Sequence, residues 1–260
     1  MSGLNALRKG LDDTRSSLFY NLFQLYNNLC DWWPLIEWAY LFENVASAPI
    51  DDIKAISAAL GVRPFYTCAS AICHIRRPRL YWCSFGLEPS WAEQCPYEAD
   101  RVRVPLQAEP GPTTRWLTRG CTWDEDEGRA RLPTAVRAIP RTKPPFLPAG
   151  IDSCTSDALK RWEQDKFAMA PYQYKKEHCV RDNRGGLRVP SAAEREVLMG
   201  FPPRYTERAV TSSALKRQLK ESEVIRKSLL ANSFQTEVVG WLLGHLAAGW
   251  TYLAQVPSSE

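Results

Sequence analysis

The sequence predicts an α/β protein in which short strands alternate with a helix, as in part of a doubly wound sheet. Three observations predict it. Residues 35–44 (LIEWAYLFEN) form a mostly apolar run with a polar end, the pattern of a buried parallel strand. Residues 51–60 place Ile53, Ile56 and Leu60 on one helical face, with Asp51 positioned to cap the start and Gly61 to close the end. Two further apolar runs, 64–69 and 79–85, read as strands. The three strands are expected in one parallel or mixed sheet.

Ahead of that sheet, residues 14–29 carry Leu18, Leu22, Leu25, Tyr26 and Leu29 at helical spacing. Asp12 or Asp13 can cap this helix, and Trp33 and Pro34 end it. The region 86–187 then loses any clear period. It holds most of the prolines, an acidic knot at 124–127 and scattered basic residues between 101 and 143, and composition alone reads it as a long irregular loop. Trp162, Phe167, Tyr172 and Tyr174 beside Lys175 and Lys176 fit two uses, contact with nucleic acid or a small aromatic core with solvated charges. Helices return near 190. Ser191 and Glu194 have the spacing of a capping box, and Gly200-Phe201-Pro202 ends that helix. Residues 211–230, with Lys216, Arg217, Lys220, Arg226 and Lys227, read as a charged helix or pair of helices with a solvated face. Asn232 or Ser233 starts a last amphipathic helix bearing Phe234, Val238, Trp241, Leu242 and His245.

Composition narrows the class without choosing a function. At 260 residues and 45% hydrophobic, the chain can bury a core and hold two domains. A formal charge of +4 permits a polyanionic partner without requiring one. The first twenty residues lack an apolar signal region, so the eight cysteines read as reduced intracellular thiols. Cys68, Cys73, His74 and Cys83 lie close in sequence, but no C-x-x-C pair exists, and no metal is expected. The apolar run 238–253 is too short to span a bilayer and reads as a packed helix.

Four stretches add a specific resemblance. Phe42-Glu43-Asn44-Val45-Ala46-Ser47, the run Arg76-Arg77-Pro78-Arg79-Leu80-Tyr81-Trp82, residues 188–202 (RVPSAAEREVLMGFP) and residues 231–246 (ANSFQTEVVGWLLGHL) resemble, in order, four motifs of the DNA (cytosine-5) methyltransferases. Residues 3–20 resemble the segment that directly follows the family's Pro-Cys-Gln loop. That loop and the family's Gly-rich cofactor loop are not in the sequence. There is no F-x-G-x-G stretch, and none of the eight cysteines follows a proline. The chain is therefore identified as the C-terminal portion of a methyltransferase. The resemblance implies a partial S-adenosylmethionine-dependent, Rossmann-like sheet with an irregular target-recognition region inserted before the C-terminal helices. The expected division is 1–86 for the second half of the catalytic domain, 87–187 for target recognition, 188–253 for helices returning to the catalytic domain and 254–260 for a tail.

The same resemblance assigns roles. In the family a thiolate adds to carbon 6 of cytosine, and electron density moves onto the ring. Glu43 would donate a proton or strong hydrogen bond at nitrogen 3, and Asn44 would fix the local backbone. Arg79 would stabilise charge at the oxygen of carbon 2, and Arg77 would hold the adjacent loop or a phosphate. Asn232 and Ser233 would contact S-adenosylmethionine, with Ala231 standing where the family carries glycine. Glu43 and Arg79 are expected to face one cleft, on the order of 5–9 Å apart, to hold a flipped base. The implied partner is DNA, with no membrane, and the missing half is open to three accounts: truncation, gene-model error, or a second chain that supplies it. The implied location is nuclear in a eukaryote and otherwise cytoplasmic. Two other functions stay open: a catalytically dead remnant or split subunit that binds DNA or a partner, and a transfer-RNA methyltransferase of the related type. An apolar edge or face is expected to stand uncovered where the absent strands belong.

Overall fold

The structure, a computed structural model, describes residues 18–96, 98, 100–106, 110–123, 131–134, 148, 150–209 and 219–249. In chain order it opens with α1 (Leu18–Trp32), β1 (Leu41–Val45), α2 (Ile50–Leu60) and β2 (Phe65–Cys68). Next come β3 (Ile75–Arg76), β4 (Pro78–Cys83), the single turn α3 (Pro89–Ala92), β5 (Val102–Arg103) and β6 (Leu132–Pro133). The later elements are α4 (Ser156–Gln164), β7 (Val180–Arg181), β8 (Leu187–Arg188), α5 (Ala192–Leu198), α6 (Leu219–Ala231) and α7 (Thr236–Ala247). The expected caps at Asp12 and Asp13, the acidic knot 124–127, Lys216, Arg217 and the tail 254–260 lie outside the described residues.

The fold is α/β. The chain divides into two compact units, the first made of Met1–Cys68, Pro78–Leu106 and Gly240–Glu260, the second of Ala69–Arg77 and Gln107–Val239. These bounds differ from the expected ones. The first unit runs on to Leu106 because β5 pairs with β2, which ties the segment after 86 back to the sheet. Residues 188–239 belong to the second unit, and those from Gly240 belong to the first.

The first unit is built on a four-stranded mixed sheet of order β1-β4-β2-β5. β4 lies antiparallel between β1 and β2, and β2 pairs with β5 in parallel. Pro78 opens β4 at the one strand position where the missing amide is tolerated. The strand at 35–44 is shorter than its apolar run: β1 starts at Leu41, opposite Cys83, where β4 ends. Reciprocal backbone and side-chain bonds between Tyr40 and Ser84 close the ladder there, and residues 35–37 stay outside it, exposed.

Alternation along the strands sorts the two faces. Phe42, Leu80, Trp82 and Tyr66 point to one side, where they pack with Ile53, Ile56 and Val62 and with Phe19 of α1. The Trp82 indole donates to Ser57 Oγ at 2.9 Å, so the largest core side chain leaves no buried donor unpaired. Gly61 closes α2 in the left-handed region at φ +69, as its position in the sequence predicts. Asp51 does not cap α2. The N-cap is Pro49, and Asp51 and Asp52 fall in the first turn, where carboxylates favour the helix dipole.

The second unit is not a structureless loop. Trp116, Trp123, Leu132, Val180 and Leu198 form one buried cluster, and Ala158, Trp162, Met169, Tyr174 and Val189 form another. Trp162 meets Phe167 edge-on at 4.8 Å and donates to the Met169 carbonyl, so these aromatics are core. Thr155 caps α4, and Ser191 and Glu194 make the full reciprocal capping box on α5. Gly200 turns at φ +79, where any Cβ would run into Thr236. The last helix starts later than expected. Residues 232 and 233 form the turn after α6, and Gln235 caps α7 by accepting from the Val238 amide at 2.7 Å.

Candidate functional site

The β1–β4 register sets Glu43 across from Tyr81 and Val45 across from Arg79. Strand period then puts Glu43 and Arg79 on the same face, the one turned away from α2, as diagonal neighbours. Nε of Arg79 makes an ion pair with Oε1 of Glu43, with side chains 10% and 21% exposed. The expected spacing of 5–9 Å allowed for a base between the two groups, and here they touch directly. One Arg79 nitrogen also donates to the Pro78 carbonyl at 2.9 Å, which fixes the guanidinium near the strand start. Among the described residues Arg79 is the one ion-pair partner of Glu43, and the other carboxylate oxygen keeps its accepting capacity.

Thr67 is a member of this site that the sequence reading missed. It stands opposite Arg79 in the β2–β4 register, is buried, and its hydroxyl has no hydrogen-bond partner among the described residues. An unpaired buried hydroxyl is costly, and one beside a guanidinium and a carboxylate marks a place where a polar ligand edge would find a partner. Its signal was the alternation Phe65-Tyr66-Thr67-Cys68, which aims Thr67 to the Glu43 face once the register is known.

Asn44 points to the opposite face, and its side-chain oxygen accepts from the Val45 amide at 2.8 Å. It shapes the end of β1. Arg77 lies in the second unit and is buried. It donates to Thr134 Oγ1 at 2.6 Å, to the Ala231 carbonyl at 3.4 Å and to the Ser233 carbonyl. Those bonds make it a positioning residue for the turn after α6, and its expected role as a phosphate holder has no exposed guanidinium behind it.

Asn232 and Ser233 each spend a side-chain donor on the end of α6. The Asn232 amide donates to the Ser228 carbonyl and the Ser233 hydroxyl to the Leu230 carbonyl, each at 2.9 Å, so both close the end of α6. Their backbone amides donate to Leu229 and Leu230, and the Ser233 carbonyl is held by Arg77. Ala231 is the last residue of α6 and does not have positive φ, so its methyl costs nothing where the family carries glycine.

A cavity of about 400 Å³ lies elsewhere, within the second unit, lined by Arg161, Asp165, Tyr174, Arg188, Glu223 and Lys227 among others. Its cations are already engaged. Arg188 pairs with Glu194, Lys227 with Glu223, and Arg161 donates to the Tyr174 carbonyl. Burial lowers the pKa of Lys227, an effect that Glu223 opposes. Among the described residues no group of three or more His, Cys, Asp or Glu is placed to hold a metal ion, and no helix is long and apolar enough to cross a membrane.

No protein-family model and no curated protein matches the chain. The crystal structure of S. pombe Dnmt2 methyltransferase aligns with 92% of this chain and 74% of its own, at a TM-score of 0.45 and 17% identity. A likeness of that size leaves the functional reading to the residues of the site.

Proposed function

We propose that this chain is the target-base portion of a DNA (cytosine-5) methyltransferase, an enzyme class that moves a methyl group from S-adenosylmethionine to cytosine. The observation that carries this reading is the Glu43–Arg79 pair. A carboxyl group and a guanidinium side by side can grip one cytosine edge. The carboxyl group serves the exocyclic amine and nitrogen 3, and the guanidinium serves the oxygen of carbon 2. Each would exchange part of its bond to the other for a bond to the base, and Thr67 adds a third polar group. A base inside a duplex cannot reach such a site and must be extruded. The nucleophilic thiol loop and the Gly-rich cofactor loop of that class are not in this sequence, so the reading rests on the base-contacting groups alone. A non-catalytic DNA- or partner-binding module is the second reading, and the commitment of Asn232 and Ser233 to the end of α6 favours it.

The test is binding to fluorescent duplexes that carry one extrahelical cytosine or, in its place, thymine. Wild type should prefer cytosine. Glu43→Ala should remove the preference, because the two bases differ at nitrogen 3 and the 4-substituent, and Arg79→Ala should weaken binding of both bases roughly tenfold, because both carry the oxygen of carbon 2. Equal binding of both bases by wild type would end the base-recognition reading. A bulged RNA of the same sequence, bound more tightly than the DNA, would move the proposal to a transfer-RNA type. Incubated alone with labelled S-adenosylmethionine and DNA, the chain should transfer no methyl group. Transfer abolished by mutating one of its eight cysteines would overturn the site assignment.

A further inference from the structure

α1 is an apolar helix in which no residue is buried. Its inner side chains do pack. The Phe19 ring meets Phe42 at 5.6 Å and the Tyr26 ring meets Tyr40 at 5.0 Å. Its outer side chains are left bare. Leu18, Leu22, Leu25 and Trp32 are 56%, 52%, 47% and 61% exposed, and Trp33, Leu35 and Ile36 continue the exposed surface past the helix end. With half-buried Leu29, the stripe Leu18-Leu22-Leu25-Leu29-Trp32 steps by four, three, four and three. That is the 3.5-residue repeat of a seam between two helices.

We propose that this stripe pairs two copies of the chain, α1 against α1, antiparallel about a twofold axis near Leu25. The neighbouring polar positions, Asn21, Gln24 and Asn28, are uncharged, so nothing on the flanks repels an identical helix. Asp31 is the one charged residue of α1 and sits at its C-terminal end, where the helix dipole disfavours a carboxylate. The first turn carries no acidic residue. Antiparallel pairing brings each Asp31 to the other copy's N-terminal turn, where a carboxylate is stabilising. The bare apolar side chains from 18 to 36 amount to on the order of 800 Å², about what one partner contributes to a standard interface. The edge of β1 is a poorer self-pairing surface. A twofold axis through the centre of that five-residue strand would set Glu43 opposite its own copy. The pairing is independent of the methyltransferase reading.

Sedimentation velocity on the full chain, from about 1 to about 100 µM, tests it. Wild type should pass from monomer to dimer across that range. Leu22→Glu combined with Leu25→Glu should weaken association by roughly 100-fold or more, and Asp31→Lys by less than about tenfold. Glu163→Arg, on the exposed side of α4, should leave association unchanged. Oxidative cross-linking keeps the proposal testable should the double variant misfold. In a Cys30→Ser background, Leu25→Cys should cross-link to its own copy and Leu18→Cys should not. A chain monomeric at every concentration overturns the proposal. So does a dimer indifferent to the double variant, or a monomer that co-sediments with phosphatidylcholine vesicles.

Discussion

The two units hold acid–base pairs of opposite character. In the second unit Glu194 receives both Arg188 nitrogens, at 2.7 and 2.8 Å, and the backbone amides of Ser191 and Thr118. Glu196 receives Arg226, the Thr206 amide and hydroxyl, and the Arg204 amide. Both carboxylates are saturated and carry no capacity for a ligand. In the first unit, among the described residues, Glu43 has the single partner Arg79, keeps a free acceptor and sits beside a threonine hydroxyl without a partner. A saturated buried carboxylate holds a fold together, and an unsaturated one on a sheet face is available for chemistry. Residue type alone would rank all three glutamates equally.

Glu196→Ala should break that contrast most severely. It leaves Arg226 without its buried carboxylate and should cost about 3–5 kcal/mol in denaturant unfolding. Glu43→Gln, in a pair only 10% and 21% exposed, keeps a neutral acceptor for Arg79 and should cost less, about 1–2 kcal/mol. Equal costs would mean that Glu43 is as structural as Glu196.

Acid titration separates the units next. Burial works to raise the pKa of Glu194, but the Arg188 pair and the Ser191 and Thr118 amides outweigh it and lower the value to about 2. A carboxylate depressed in the folded state contributes stability that is fully present above its unfolded value of 4.5 and lost as pH falls towards about 2. Glu194 alone should account for on the order of 3 kcal/mol of that loss. Glu194→Gln should flatten the stability profile over this window while lowering stability at neutral pH. A profile unchanged by the substitution would remove the saturation argument.

Arg77→Lys should cost about 1–3 kcal/mol, because an ammonium cannot serve Thr134 and the carbonyls of 231 and 233 from one fork. A loss of DNA affinity with unfolding unchanged would return Arg77 to a phosphate role. Thr67→Val should have the smallest effect on the fold, within about 1 kcal/mol, since it removes a hydroxyl with no partner among the described residues. Its effect should appear in the cytosine-over-thymine preference of the extrahelical duplexes. Clear destabilisation with preference intact would give Thr67 a structural partner and take it out of the site.

The sequence by itself determined the local features: the αL close of α2 at Gly61, the Ser191–Glu194 capping box and the apolar strands around 43, 66 and 81. Each depends on residues within a few positions of one another, so period and cap chemistry suffice to read it. It also gave Glu43 and Arg79 as a pair, but by resemblance, because nothing local links positions 36 apart. Tertiary structure decided everything that depends on register and long-range partners. The insertion of β4 between β1 and β2 chose which strand face Glu43, Thr67 and Arg79 share, and a slip of one residue would have sent Arg79 to the helix side. For Arg77 the sequence left two uses, holding a loop or a phosphate, and only its carbonyl partners more than 150 positions away show which loop it contacts. Asn232 and Ser233 looked like a helix start, and α6 instead ran far enough to claim both side chains. Sequence spacing names candidate donors and acceptors, but the chain's return path decides which are already satisfied, and only the unsatisfied ones can bind.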